Sequence, residues 1–198
     1  MRFRGQLTTC TVSLFFQTIL ACTNPCVGPL DPWKVSRLQI TAPAPGHDGP
    51  LSIDLAIENP NRVTAGPAPH AAGGGYVSFE PSAVNCTVAD ADGKADDNCT
   101  ETIPSDGVWS INVAPDSAAQ VDPRKLDLSF NLNYNITRWG GILYKVYDGT
   151  AHFEVGTNMV ESGCDDTSGT CVFNLNSESA PVLVPPTMTA CQGTCKVD

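Results

Sequence analysis

Cysteine is the residue type whose number and spacing point most directly to chemistry in this sequence. The 198-residue chain holds nine cysteines, and eight of them follow residue 21 as pairs that are close in sequence. The pairs are Cys22 and Cys26, Cys86 and Cys99, Cys164 and Cys171, and Cys191 and Cys195. An even set in an exported chain predicts disulfides, and we expect local pairing, above all Cys86–Cys99 and Cys164–Cys171.

Two of these pairs allow a metal-binding alternative. Cys22 and Cys26, like Cys191 and Cys195, are separated by three residues, a spacing that a four-thiolate zinc site permits. Export would favour oxidised thiols over zinc. We therefore predict disulfides, with no metal and no other cofactor.

The histidines suggest no catalytic arrangement. His47 and His70 fall in loops rich in proline and glycine, and His152 alternates with Phe153, which predicts a solvent-facing position on a strand. The sequence contains no HExxH, GxSxG, phosphate-loop or dinucleotide-binding motif. We predict no catalytic residues and no enzymatic activity.

An acidic stretch offers a weak calcium candidate. Its oxygen ligands would come from Asp90, Asp92 and Asp96. Aligning Gly93 with the turn glycine of an EF-hand puts Val88 and Cys99 where the first and last ligands belong, so the match fails at both ends. We favour a solvated turn that a Cys86–Cys99 bond closes.

Asparagine and tryptophan complete the candidate residues. Asn85, Asn98 and Asn135 each begin an Asn-x-Thr sequon, which would be a glycan acceptor in a eukaryotic secretory protein. Trp33, Trp109 and Trp139 could mark a binding face, but we expect at least two of them in the core.

The start of the chain has the layout of a signal peptide. Basic residues at 2 and 4 precede a largely uncharged stretch, Leu7–Ala21, that is too short to span a bilayer. Cleavage near Ala21 is one outcome. The other treats residues 19–22 as a lipobox, with Cys22 carrying a lipid and one cysteine left over. The lipobox and the glycan sequons imply different kingdoms, so the source stays open. We predict a secreted or cell-surface protein.

Charge restricts the partners. The chain has 11 basic and 21 acidic residues, a net charge of −10, and no cluster of lysine or arginine. Such a surface repels phosphate backbones, which excludes nucleic acid as a partner. We expect a monomer that associates with a membrane surface or a cell wall, and the sequence does not name the ligand.

Period-2 alternation of apolar residues is the main structural signal. Leu51–Glu58 and Leu126–Asn135 alternate strictly, and Val84, Cys86 and Val88 share one face of a third strand. Further strand candidates are Val35–Thr41, Tyr76–Glu80, Val108–Val113, Thr150–Val155, Cys171–Asn176 and Val182–Val184. The pattern predicts an all-β antiparallel sandwich of the fibronectin III or immunoglobulin type, with seven to nine strands and disulfide staples.

The remaining segments are assigned by composition. Apolar residues at helical spacing predict one short helix at Ile136–Tyr147, although Gly140 and Gly141 weaken it. Residues 42–50, 65–75 and 89–98 are predicted loops. We expect a signal peptide at 1–21, a short segment at 22–32, the sandwich domain at 33–184 and an irregular tail at 185–198.

The strand that ends in Asn59-Pro60-Asn61 resembles the LEA type 2 domain, the late-embryogenesis-abundant, water-stress and hypersensitive-response family. The preceding strand and the later order of strand, helix, glycine and strand fit the same pattern across about residues 33–184. The resemblance implies a seven-stranded fibronectin-like sandwich and roles in stress protection, in defence at the cell surface or in lipid binding. The motif itself suits a tight strand exit, because Pro60 cannot donate to a ladder.

Three functional hypotheses follow. The first is a non-enzymatic, exported, LEA-type-2-like sandwich with a protective or surface-binding role that could include lipid. The second is an adhesion or recognition module that binds through the loops at 65–75 and 89–98. The third and weakest is an extracellular hydrolase, which would need a buried acid–base pair.

Overall fold

The computed structural model describes residues 29–90, 95–113, 121–165 and 167–195. They form strands β1 Trp33–Pro43, β2 Leu51–Asn59, β3 Val63–Pro67, β4 Tyr76–Phe79, β5 Ser82–Asp90, β6 Ala95–Ile103, β7 Gly107–Val113, β8 Lys125–Arg138, β9 Gly141–Glu154, β10 Met159–Asp165, β11 Thr170–Leu175, β12 Val182–Val184 and β13 Thr187–Gln192. A 3₁₀ turn covers His70–Ala72, and no α-helix occurs within these ranges.

The strands assemble into two main antiparallel sheets. The larger sheet has the order β10-β11-β1-β2-β5-β6, with β12 pairing the start of β1. The smaller sheet has the order β13-β9-β8-β7, and β3 and β4 form a separate hairpin. All ladders between the named strands are antiparallel, which confirms the predicted sheet type.

Strict alternation explains why these segments are strands and where the core lies. Along β2 the side chains of Ile53, Leu55 and Ile57 are buried, because successive side chains of a strand point to opposite faces of the sheet. On β8, Leu128 and Leu132 are buried in the same way. The two inner faces share one apolar core, so the predicted β-sandwich is confirmed. The described residues form thirteen strands, so the predicted number of seven to nine is wrong.

The predicted helix at Ile136–Tyr147 is wrong. Those residues form the end of β8, a two-residue turn at Trp139-Gly140 and the start of β9. The apolar residues fit a helical period and a two-strand alternation equally well, and the double glycine decides for the turn. Pairing along the two strands, which runs from Lys125–Glu154 to Arg138–Gly141, extends an existing sheet.

Four segments that we expected to be irregular are partly strand. Residues 42–43 and 65–67 belong to the ends of β1 and β3, and two further segments are longer cases. The acidic stretch at 89–98 supplies the end of β5 and the start of β6, which pair directly across the hairpin. In the C-terminal tail, Thr187–Gln192 forms β13 and pairs with β9. Neither segment is strongly apolar, and each takes its hydrogen-bonding partners from a neighbouring strand. Local sequence does not reveal such partners.

Candidate functional site

Three disulfides confirm the local pairing of cysteines. They join Cys86 to Cys99, Cys164 to Cys171 and Cys191 to Cys195, over separations of 13, 7 and 4 residues. Such bonds are typical of proteins that fold in an oxidising, extracellular type of environment. Because Cys191 and Cys195 are bonded to each other, their thiolates are not available to a zinc ion. Cys22 and Cys26 lie outside the described residues, as do the signal peptide and the lipidation candidate.

His152 lies on an exposed ribbon of β8 and β9. Its Nδ1 is 2.7 Å from Asp127 Oδ1, and its Nε2 is 3.5 Å from Glu154 Oε2. The His152 side chain is 43% exposed, so the group is a solvated cluster of polar side chains on a sheet face. His47 and His70 lie in other parts of the fold, beside Gly169 and in the 3₁₀ turn respectively. The structure does not bring the three histidines together.

The candidate calcium ligands lie largely outside the described residues. Asp92 and the side chains of Asp90 and Asp96 lie outside the described part, and only the backbone of β5 and β6 is placed on either side of the turn. Within the described ranges, no group of three or more histidine, cysteine or acidic residues is arranged to hold a metal ion.

All three sequon asparagines are exposed. Asn85 lies opposite Thr100 and Asn98 lies opposite Thr87, so the first two sequons are interleaved across the β5–β6 hairpin, around the Cys86–Cys99 bond. Asn135 lies on β8, just before its turn. The geometry leaves these side chains on outer surfaces, as the alternation of apolar and polar residues predicts for Asn85 and Asn135.

The Asn59-Pro60-Asn61 motif forms a hydrogen-bonded junction. The buried Asn59 donates from Nδ2 to the Tyr134 hydroxyl at 2.7 Å, and its Oδ1 accepts from the backbone N–H of Asn61 at 3.0 Å and from Asn61 Nδ2 at 2.7 Å. The Tyr134 hydroxyl in turn donates to the carbonyl of Glu80 at 3.1 Å. The motif therefore links the end of β2 to the smaller sheet, in a structural role.

Two of the three tryptophans are core residues. Trp33 and Trp109 are buried and pack edge to face, with ring centroids 4.8 Å apart. Trp109 Nε1 donates to Ser82 Oγ at 3.1 Å, so its polar atom is satisfied. Trp139 is 50% exposed, which makes it the tryptophan that is free to contact a ligand.

Trp139 stands at the tip of a hairpin that projects from the sheet. On one side β7 begins at Gly107, opposite Tyr134. On the other side β13 ends at Gln192, opposite Tyr144. The β8–β9 ribbon continues past both neighbours to the turn. We call residues 137–142 the hairpin tip. It presents Arg138, Trp139 and Ile142 to solvent, and Ile142 is 49% exposed.

The backbone of Trp139 is unusual. Its φ is +50°, the one positive φ of a non-glycine residue in the described part of the chain, and Gly140 follows at +76°. Positive φ at both central residues is the requirement of a type I′ turn, whose first position strongly favours Asn, Asp or Gly. A left-handed conformation costs a bulky residue about 1 to 2 kcal/mol. The tip was not predicted from the sequence, although Trp139-Gly140-Gly141 carries its turn signal.

A lysine is buried in the sandwich, which was not predicted from the sequence. Lys145 is 1% exposed and points inward on β9, between Tyr134 and Cys191 of the adjacent strands. Its ammonium forms no ion pair with any carboxylate of the described residues. Burial lowers the pKa of Lys145 and raises the pKa of the nearby Tyr147 to about 12, because each charged form is desolvated. Lys145 is too enclosed to contact a macromolecule.

Comparison with models of protein families, with curated proteins and with solved structures finds no match to this chain. Among the residues described, no helix is long and apolar enough to cross a membrane. Any function proposed for the hairpin tip therefore rests on its own geometry.

Proposed function

We propose that this chain is an exported, non-enzymatic β-sandwich that acts by binding at a cell surface, with the hairpin tip as its contact. The signal-peptide layout of residues 1–21 and the disulfides support export. The likeness to LEA type 2 domains is part of the proposal, and the structural role of Asn59 is consistent with it.

The conformation of Trp139 is the observation that carries the binding role. A half-exposed tryptophan in a left-handed turn adds little to the core, and it is less stable there than asparagine or glycine. Strained residues concentrate at functional sites, and tryptophan is the residue most enriched in binding hot spots. Its presence at the tip is explained if it is kept for a contact with a partner.

The substitution Trp139→Asn tests the proposal, because asparagine suits the turn and removes the ring. We expect it to raise the free energy of unfolding by about 1 kcal/mol and to weaken binding by about 30-fold. Binding would be measured by co-sedimentation with phosphatidylcholine vesicles, cellulose, chitin and peptidoglycan. Val108→Thr is the matched control, because Val108 is an exposed apolar residue on β7.

In Trp139→Asn the melting temperature must rise while the binding affinity falls. A variant that is stabilised yet binds as well as the wild type would contradict a role for the tip. Wild-type protein that sediments with none of the four materials would contradict surface binding itself.

A further inference from the structure

The acidic residues of this chain are distributed unevenly. None of the 21 falls within residues 62–79, 136–147 or 187–195. These three segments are β3–β4 with its loop, the β8–β9 turn with its flanks, and β13 with the residues that follow it. In a chain of net charge −10, these three segments form a surface without acidic residues only if they lie together in the fold.

Direct contacts place the three segments at one end of the sandwich. Gln192 of β13 is opposite Tyr144 of β9, and the Thr194 N–H donates to the Ala65 carbonyl at 3.1 Å. A side chain at Gly193 would run into that same carbonyl oxygen. Gly66 also lies against β9, because a Cβ there would be 3.2 Å from the Leu143 side chain. We call this region the acid-free end.

The acid-free end carries the exposed groups of the hairpin tip. Trp139 and Ile142 are half exposed there and Arg138 is exposed, while Tyr76 is a half-exposed residue of β4 in another of the three segments. Three carboxylates lie at the border of this end. Glu80 is paired with Arg62 at 3.0 Å, while Asp31 and Asp106 lie at the rim. The combination is an aromatic ring, an aliphatic side chain and a single guanidinium, without an opposing acid.

The chain also enters the described fold at this end. The Asp31 N–H donates to Asn61 Oδ1 at 2.8 Å, and Asn61 Nδ2 donates to the Asp31 carbonyl at 2.7 Å. Asn59 then bonds to Tyr134, four residues before the tip residue Arg138. Seven residue steps separate Cys22 from Pro29, a span of at most about 25 Å. A tether near residue 22 would hold the acid-free end close to its attachment point.

We propose that the acid-free end docks on a phospholipid bilayer of zwitterionic headgroups, which makes the ligand of the proposed surface-binding function a lipid. Trp139 and Ile142 would enter the headgroup–acyl boundary, where indole rings are enriched and buried apolar area gives affinity. Arg138 would bind lipid phosphate. This inference rests on the proposed function. A bilayer explains Ile142 beside the ring, which hydroxyl-rich polysaccharide does not, and the rim acids disfavour strongly anionic lipid.

Quenching by brominated lipid tests the docking with the whole exported chain. Trp33 and Trp109 are buried, so Trp139 is the ring that an acyl-chain bromine can reach. We expect dibromo-phosphatidylcholine vesicles to quench part of the wild-type emission and to leave the emission of Trp139→Asn unchanged. Absence of quenching in the wild type would overturn the lipid assignment.

A pair of charge substitutions tests the orientation. Ile142→Asp introduces a carboxylate into the acid-free end, and Val160→Asp introduces one at a comparably exposed position on β10 of the other sheet. We expect Ile142→Asp to lower vesicle partitioning by at least about tenfold and Val160→Asp to change it by less than about twofold. Equal losses would contradict docking by this end. Thermal melts establish that both variants fold.

The outcomes separate the two proposals. Binding to a polysaccharide that Trp139→Asn abolishes, with no binding to vesicles, would overturn the lipid assignment and retain surface binding by the tip. Failure to bind either material would overturn both.

Discussion

At the scale of single residues, Asn59 illustrates how one buried amide can organise a chain crossing. Its donor and its acceptor are both used, and they connect the exit of β2 with Tyr134 of the opposite sheet. A buried amide is stable only when it is bonded. The proline that follows keeps the chain from continuing into the ladder.

Replacing Asn59 by alanine should destabilise the fold. The substitution removes the bond to Tyr134 and leaves the amide groups of Asn61 without their acceptor, which should lower the free energy of unfolding by about 2 kcal/mol. Urea denaturation measures the change. Asn112→Ala, an exposed amide on β7, should stay within about 0.5 kcal/mol of the wild type. Similar losses in the two variants would contradict the junction.

Lys145 should give a pH-dependent effect on stability. Because burial lowers its pKa in the folded state, the unfolded chain binds more protons between that lowered pKa and the ordinary 10.5. The free-energy cost of burying the charged Lys145 side chain is therefore complete below this pH window, and it disappears as the pH rises through it. Lys145→Met should stabilise the protein by about 1 kcal/mol or more at pH 7.

The pH profile supplies the control for Lys145. The advantage of Lys145→Met in denaturation should shrink as the pH rises toward 10.5. The tyrosines act in the opposite direction in both proteins, since their raised pKa values cause stability to be lost above about pH 10. An advantage that does not vary with pH would show that the effect comes from packing instead of charge.

At the scale of elements, the disulfides mark the outer strands of the sheets. Cys99 and Cys164 lie on β6 and β10, the two edges of the larger sheet, and Cys191 lies on β13, an edge of the smaller one. Edge strands have a neighbour on one side only, and they open more readily than central strands. Each disulfide joins an edge strand either to its neighbouring strand in the same hairpin or to the residues that follow it.

Removing one staple should cost roughly 2 to 3 kcal/mol, as loop-closure entropy predicts for closed loops of this size. We expect Cys164→Ala with Cys171→Ala to lower the melting temperature and to increase amide exchange in β10 before the core exchanges. Cys86→Ala with Cys99→Ala should show the same effect in β6. Exchange that rises uniformly over the molecule would contradict local stapling.

The elements also show what sequence can and cannot predict here. The alternation at Leu51–Glu58 and the cysteine pairs are local signals, and both were interpreted correctly. Ile136–Tyr147 was not, because its apolar spacing satisfies two periodicities, and the glycines that turn the chain so that its two halves pair with each other decide between them. The burial of Lys145 and the bond from Asn59 to Tyr134 depend on chain segments distant in sequence.

At the scale of the whole molecule, the export prediction has a direct measurement. Intact mass after alkylation without reductant should show the six described disulfide cysteines unlabelled, and reduction should add six labels for them. It should add eight if Cys22 and Cys26 are also paired, as the sequence predicts. The same spectrum reads the position of signal cleavage, a lipid on Cys22 and any glycan. Full labelling without reductant would contradict folding in an oxidising compartment.

The short spans of the three disulfides bear on how the protein matures. Each bond joins cysteines at most 13 positions apart. If the chain is exported as proposed, both thiols of a pair would emerge from a translocation channel almost together. Oxidation can then proceed hairpin by hairpin, before distant cysteines are present to compete. A chain with this arrangement avoids most of the mispaired isomers that eight cysteines permit, and it should need little help from a disulfide isomerase.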